Sequence, residues 1–308
     1  MTSSATEPRR HPLAGLVPHL ALIASVVMLG LSFVALRAIM VNSTGAATLA
    51  VTRYGLASMF LLPFCRPSRL FRLPRQTVLT IFILGAMQFG MFQFFVNTAL
   101  KQIPASRGAV IFALIPIMTM LIAAAAGRDR LSTLKIIGAL IAFTGVALAI
   151  GEKAFSSSGN QSWLGEILFF LAVSCGATYN AFSARLLQNH DIFSLTFLAM
   201  GAGTLVLTGF ALFEHPLQQV AAYDVKDWLW VLYLAGPAAA IGFFLFNFGL
   251  RQLSPARASI WVPLSPISAA AFGALLLDEH LSGMFLIGLA CTVTGPFLVN
   301  WRRNRDAA

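Results

Sequence analysis

Long apolar stretches separated by short polar breaks make up almost the whole chain. Ten of these stretches reach or nearly reach the length of about 20 residues at which an α-helix crosses a bilayer. The predicted helices cover residues 16–41, 46–65, 77–97, 104–126, 133–151, 163–187, 192–213, 227–249, 255–277 and 283–301. Runs of turn-forming and polar residues, such as 42–45 and 66–68, separate them. The pattern predicts an all-α integral membrane protein with ten transmembrane helices.

The second half of the chain repeats the first. Residues 97–150 align without a gap with residues 247–300, at an offset of 150. Identical positions include Asn97/Asn247, Arg107/Arg257, Pro116/Pro266, Gly138/Gly288 and Gly145/Gly295. Five helices per half is an odd number, so the second half starts from the opposite side of the membrane and the repeats are inverted. The predicted organisation is an N-terminal tail (1–15), a first repeat (16–151), an external linker (152–162), a second repeat (163–301) and a C-terminal tail (302–308).

Charge and composition fit this arrangement. The chain is 58% hydrophobic and 10% charged, whereas soluble proteins carry about 25% charged residues, so lipid must solvate much of its surface. With the N-terminus inside, the inner segments hold fifteen Lys and Arg residues and the outer segments hold four. The positive-inside rule therefore places both termini in the cytoplasm and accounts for the net charge of +10 without a nucleic-acid partner.

Few polar side chains lie inside the predicted spans, which makes those present informative about a substrate site. Uncharged amides can bind the carboxylate and ammonium groups of a zwitterion, and aromatic rings can stack on a substrate. The candidate substrate-binding residues are Gln88, Asn97, Tyr179, Asn180, Asn247 and Trp261. Asn97 and Asn247 are expected at two gates near opposite membrane faces, and the others deeper. Interhelical hydrogen bonding is the alternative for each residue alone, whereas the set favours a pocket.

Proline and glycine recur at matching positions. Pro116 and Pro266 are predicted to kink the fourth and ninth helices, either to shape a central cavity or only to improve packing. The paired glycines, seven residues apart, predict close approach of the fifth and tenth helices. That contact could join the two repeats or two copies of the chain, so both a monomer and a homodimer remain open.

Several kinds of chemistry are not supported. No Asp or Glu lies deep in a predicted span, although proton-coupled exporters usually need one; Glu166 lies near an outer end. A phosphate carrier would need several cationic side chains facing the cavity, and Arg37, Arg53, Arg107 and Arg257 form no tight cluster in sequence. Without a metal-ligand spacing, a phosphate-binding loop or a nucleophile–base pair, we predict no metal, no cofactor and no enzymatic activity.

Several short motifs carry a family resemblance. These motifs are residues 30–35, 176–181, 105–107 with Pro116, 255–257 with Pro266, and 277–282; the first copy departs from the last motif at 127–132. Over residues 16–300 the chain resembles the drug/metabolite transporter superfamily, in its EamA-like branch. The resemblance implies ten helices in inverted repeats, and export of amino acids or related metabolites across the inner membrane.

The predicted function is a secondary exporter of amino acids, aromatic ones among them, that works by alternating access. A cavity lined by the third, fourth, sixth, eighth and ninth helices would hold the substrate, and no proton gradient would be required. Efflux of cationic drugs or other small metabolites is the alternative within transport, because aromatic rings can bind cations. A membrane scaffold or sensor without transport is the alternative from another class.

Overall fold

A computed structural model describes residues 16–41, 45–61, 73–128, 131–155, 162–189, 192–242, 245–246, 248–249 and 261–301. All regular secondary structure in these ranges is helical. The candidate Asn247 and the repeated Arg257 lie outside them.

The described residues form the following main helices. In the first half these are α1 (Val17–Val41), α2 (Ala46–Leu61), α3 (Arg75–Leu100), α4 (Ala105–Ala125) and α5 (Thr133–Phe155). In the second half they are α6 (Leu164–Asn189), α7 (Ile192–Ala211), α8 (Val225–Tyr233, continued to Ile241), α9 (Leu264–Leu277) and α10 (Gly283–Trp301). A 3₁₀ turn (Leu212–Glu214) and a short helix (Pro216–Ala221) connect α7 to α8.

Six helical segments are long and apolar enough to cross a membrane: Val17–Val41, Arg75–Leu100, Ala105–Ala125, Thr133–Gly151, Leu164–Ser183 and Leu195–Glu214. Helix α9 and the Gly283–Gly295 part of α10 are apolar but shorter. Large apolar side chains such as Leu140, Leu205 and Leu275 are 62%, 64% and 75% exposed, as expected where lipid replaces water as the solvent. These observations indicate a membrane protein that spans the bilayer several times. The count of ten spans and their inverted arrangement remain predictions.

Helices α4 and α9 are interrupted at related places. The helical course of α4 breaks at Ala113 and Leu114, two residues before Pro116. In the second half a turn at 261–263 immediately precedes α9, and Pro266 lies in the first turn of that helix. Proline lacks the N–H that would continue the ladder of hydrogen bonds, so a break just before it is the expected local result.

Helices α3 and α8 contain π-helical segments, which the sequence analysis did not predict. The segment in α3 is Ala86–Met91, and the one in α8 is Leu234–Ile241. If the offset of 150 is continued upstream of the aligned residues 97–150, residues 86–91 correspond to 236–241, which lie within the second segment. Segments of π-helix inside α-helices are rare and are often found at functional sites.

The two halves pack directly against each other. A Cβ atom added at Gly288 would lie 2.5 Å from the carbonyl oxygen of Gly145, and one at Gly295 would lie 2.5 Å from that of Gly138. The predicted glycine contact between α5 and α10 is therefore present, and it joins the two repeats within one chain. Helix α1 packs on α9 in a similar way, with Gly30 against Ser268.

Candidate functional site

Polar groups from α1, α2 and α8 meet about midway along these helices. The Tyr233 hydroxyl donates to the Met28 carbonyl oxygen at 2.8 Å, and the Ser32 hydroxyl donates to the same oxygen at 2.9 Å. Met28 lies near the middle of α1, and Tyr233 is the last residue before the π-helical segment of α8. Arg53, midway along α2, is close enough to Tyr233 for its charge to act on the phenol.

Aromatic residues continue this group towards α3 and α6. The guanidinium of Arg53 lies 5.4 Å from the centre of the Tyr54 ring. The Phe89 ring, in the π-helical segment of α3, makes edge contacts with Tyr54 and Tyr179 at centroid distances of 5.6 and 6.0 Å. These rings provide an apolar surface next to the cation.

Gln88, beside Phe89, is the predicted site residue whose surroundings best suit a ligand contact. Its Oε1 atom is buried and accepts no hydrogen bond from the described residues. A Cβ atom added at Gly176 of α6 would lie 3.3 Å from that oxygen, so Gln88 faces the helix that carries Tyr179. An amide oxygen buried without a partner is costly, which makes Gln88 a candidate to bind a donor group.

Asn97 has a packing role at the C-terminal end of α3. Its side chain is 1% exposed, and its Nδ2 atom donates to the Ala46 carbonyl oxygen at 2.8 Å. The residue therefore fixes the first turn of α2 against α3. Its Oδ1 atom has no partner among the described residues, and the role of Asn97 at a gate remains a prediction.

Trp261 lies nearer the end of α1 than the sequence analysis expected. Its Nε1 atom donates to Nδ1 of His19 at 3.0 Å, and His19 is in the first turn of α1. Trp261 therefore packs at the level of the beginning of α1, and its part in substrate binding remains a prediction. Asn180 is exposed, unlike its neighbour Tyr179. Gln88 and Tyr179 thus lie together, whereas Asn97, Asn180 and Trp261 lie elsewhere.

At the predicted outer end, a carboxylate from one half caps a helix of the other. Glu279, between α9 and α10, accepts hydrogen bonds from the Ala105 N–H at 2.6 Å, the Ser106 N–H at 3.0 Å and the Ser106 hydroxyl at 2.5 Å. These N–H groups begin α4, where no intrahelical acceptor exists and the helix dipole favours a negative charge.

Glu214 does the same for α2. It accepts hydrogen bonds from the N–H groups of Ala47 and Thr48 at 3.2 and 2.8 Å and from the Thr48 hydroxyl at 2.9 Å. Nearby, burial raises the pKa of the Tyr223 hydroxyl, and the negative charges of Asp227 and Glu214 raise it further. Two helices that start at the outer end of the first half are therefore held by acids of the second half.

A cleft of about 430 Å³ opens beside these contacts. Its lining combines charged and apolar residues, among them Arg37, Pro104, Asp224, Lys226, Trp230 and Glu279. Arg37 of α1 donates a hydrogen bond to the Leu100 carbonyl oxygen, and the carboxylate of Glu279 is close enough to interact with its charge. The cleft is lined by positively and negatively charged side chains. Such side chains can replace part of the water that surrounds the two charges of a zwitterion.

The sequence analysis missed three of these features. Arg53 was visible as a cation in the middle of an apolar stretch, which is the usual sign of a functional position in a membrane. The roles of Glu214 and Glu279 could not be read from sequence, because their partners lie more than 160 positions away. Hydropathy contains no signal for the π-helical segments.

Interrupted apolar helices in related positions of two halves, arranged around a few polar groups, define a membrane transport protein. The chain belongs to the EamA-like transporter family, whose model matches residues 16–151 and 163–301.

Individual relatives agree with this class. A probable terminal-alkyne amino-acid exporter of Streptantibioticus cattleyicolor is 26% identical over 94% of this chain and 96% of its own length. A probable amino-acid metabolite efflux pump of Escherichia coli is 24% identical over 72% of this chain and 73% of its own. A solved crystal structure with 18% identity shares the fold, with a TM-score of 0.62 over 94% of this chain and 99% of that one.

Proposed function

We propose that this protein exports amino acids, aromatic ones among them, across the inner membrane by alternating access between its two halves. The observation that carries the proposal is the pairing of interrupted helices, α3 with α8 and α4 with α9. Discontinuous helices expose backbone and polar side chains only where they line a substrate path, because lipid cannot satisfy those groups.

The identity of the substrate is supported by the chemistry around these interruptions. Phe89, Tyr54 and Tyr179 form an aromatic surface, while Gln88 and Arg53 supply a few polar atoms. An apolar site with a small number of orienting polar groups suits an amino acid with a large side chain. The names of the two relatives, an amino-acid exporter and an amino-acid metabolite efflux pump, point the same way, as does the general likeness of this aromatic-rich chain to the aromatic amino acid exporter YddG.

Reconstituted liposomes test the proposal. The purified chain should exchange labelled phenylalanine and threonine in a counterflow assay at equal pH on both sides, and should leave a labelled quaternary amine outside. Exchange at equal pH is expected because no carboxylate lies deep in a predicted span. Exchange that requires a pH gradient would reject the proton-independent mechanism, and exchange of the amine alone would favour cationic drug efflux.

A further inference from the structure

Arg53 differs from the other arginines whose side chains the structure places near the spans. Arg107 lies 3.9 Å from Glu166, and Arg128 donates to the Ala181 carbonyl oxygen and stacks on Phe182 at 4.3 Å. Arg37 donates to a carbonyl oxygen at the outer end, near the carboxylate of Glu279. These three cations have protein partners close to helix ends.

Arg53 makes a ring contact with Tyr54 but lacks an acidic partner among the described residues. Its Nε atom is buried and donates no hydrogen bond to the described residues, and no described carboxylate forms an ion pair with it. The sequence offers none either, because no Asp or Glu lies deep in an apolar stretch. A cation held midway along a membrane helix without an acid is costly, and such residues usually mark substrate pathways.

The surroundings of Arg53 indicate what kind of chemical group would bind to its guanidinium. Arg53 is the eighth residue of α2, so it lies roughly 10 Å along the helix from its first residue at about 1.5 Å per residue. The Tyr54 ring lies 5.4 Å from the guanidinium, the charge of Arg53 reaches Tyr233, and the Phe89 ring contacts Tyr54 at 5.6 Å. Guanidinium binds a planar carboxylate through two parallel hydrogen bonds.

We infer that Arg53 binds the carboxylate of the transported substrate, with Tyr54 and Phe89 beside the remainder of the molecule. The inference rests on the proposed function and narrows it: the substrate class is amphipathic molecules with a free carboxylate. Amines that lack a carboxylate would leave the guanidinium unpaired and are poor substrates. The ammonium group of an amino acid is bound elsewhere, and the buried Gln88 oxygen is a suitable acceptor for it.

The test compares three labelled probes in liposomes: phenylalanine, phenethylamine, which lacks the carboxylate, and 3-phenylpropionate, which lacks the amine. The parent should exchange phenylalanine well and phenethylamine poorly. Arg53→Gln should slow phenylalanine exchange about tenfold or more, as expected for loss of a bidentate charged contact, without slowing phenethylamine. Arg53→Lys should recover only part of the rate, because an ammonium lacks the planar fork.

A second readout separates this inference from the proposed function. Ligands that bind the folded state raise the melting temperature, so phenylalanine and 3-phenylpropionate should stabilise the parent and fail to stabilise Arg53→Gln. Arg75→Gln, an exposed cation at the start of α3, is the matched control and should behave like the parent. Equal exchange and equal stabilisation by phenylalanine in folded Arg53→Gln would overturn the inference.

If the parent exchanges no amino acid yet is stabilised by 3-phenylpropionate through Arg53, the proposed function fails and the carboxylate site stands. If Arg53→Gln does not fold, Arg53→Lys decides the matter: an unchanged preference for phenylalanine over phenethylamine and an unchanged melting shift would overturn the inference.

Discussion

Glu279 is a single side chain that joins the two halves. Its carboxylate accepts three hydrogen bonds from the first turn of α4. In Glu279→Gln one acceptor oxygen is replaced by an NH₂ group facing N–H donors. Hydrogen bonds to a charged group contribute about 1.5–3 kcal/mol each, so the free energy of unfolding should fall by at least about that much. A lower melting temperature in detergent is the measurement.

Asp278→Asn is the control for this change. Asp278 is exposed, carries the same charge and has a positive φ of 51°, a conformation that asparagine also tolerates. Its free energy of unfolding should stay within about 0.5 kcal/mol of the parent's, as is usual for surface changes. The melting temperature should therefore hardly change. Equal losses in both variants would mean that negative charge at this end, and not the cap on α4, determines stability.

The aromatic and amide residues of the site should act on different parts of a substrate. Tyr179→Phe keeps the ring that contacts Phe89 and should leave phenylalanine transport unchanged to within about twofold, since no ring contact is lost. Gln88→Ala removes a buried acceptor and should slow phenylalanine and threonine alike. Transport rates in equal amounts of folded protein provide the comparison.

Trp261→Ala separates the two views of that residue. A stacking role predicts a larger loss for phenylalanine than for threonine, about 0.5–1.5 kcal/mol or two- to twelvefold. The hydrogen bond to His19 instead predicts an equal change for both substrates. His19→Ala is the matched variant, because it removes the same bond and keeps the indole. If none of these variants changes transport, the site lies elsewhere.

At the scale of the elements, the contact between α5 and α10 leaves little room for a side chain. A side chain at Gly145 would collide with the backbone of Thr292. Gly145→Leu should therefore lower the melting temperature and the yield of folded protein, with a cost of about 1–3 kcal/mol or more for overpacking. Gly151→Ala is the control, since its Cβ would meet only the end of Met284 at 3.6 Å. Equal yields for both variants would contradict the close contact.

Elements whose signals are local could be predicted from the sequence. The predicted fifth and sixth helices, 133–151 and 163–187, correspond closely to α5 and α6. Ser282, directly before α10, accepts the N–H of Phe285 at 3.0 Å, as serine commonly does at a helix start. The paired glycines led to the correct contact because small residues repeated on one face leave little alternative.

Features that depend on distant partners were not predictable. The caps by Glu214 and Glu279 join residues far apart in the chain, so neither hydropathy nor spacing contains them. The π-helical segments arise where packing forces one extra residue into a turn, and a run such as Ala86–Met91 reads as ordinary helix. The hydrogen bond between Trp261 and His19 joins residues 242 positions apart, so it too could not be read from the sequence.

At the scale of the whole molecule, the topology has a direct test. Both termini and the basic segment 66–75 are predicted on the cytoplasmic side, and residue 158 on the outer side. In a variant without the native cysteines, a single cysteine at residue 158 should react with an impermeant maleimide in intact cells, whereas one at residue 70 should react only after lysis. The reverse pattern would contradict the predicted orientation.

The glycine contact between α5 and α10 also constrains how the protein is made. Gly138 and Gly145 are synthesised long before Gly288 and Gly295, and each pair requires the other half to cover its backbone. During synthesis, the glycine face of α5 is therefore in contact with lipid until α10 covers it. A newly inserted first half therefore lacks the partner for its glycine face. Until the last helix has been inserted, we expect it to be more open to proteases that recognise unpaired membrane helices.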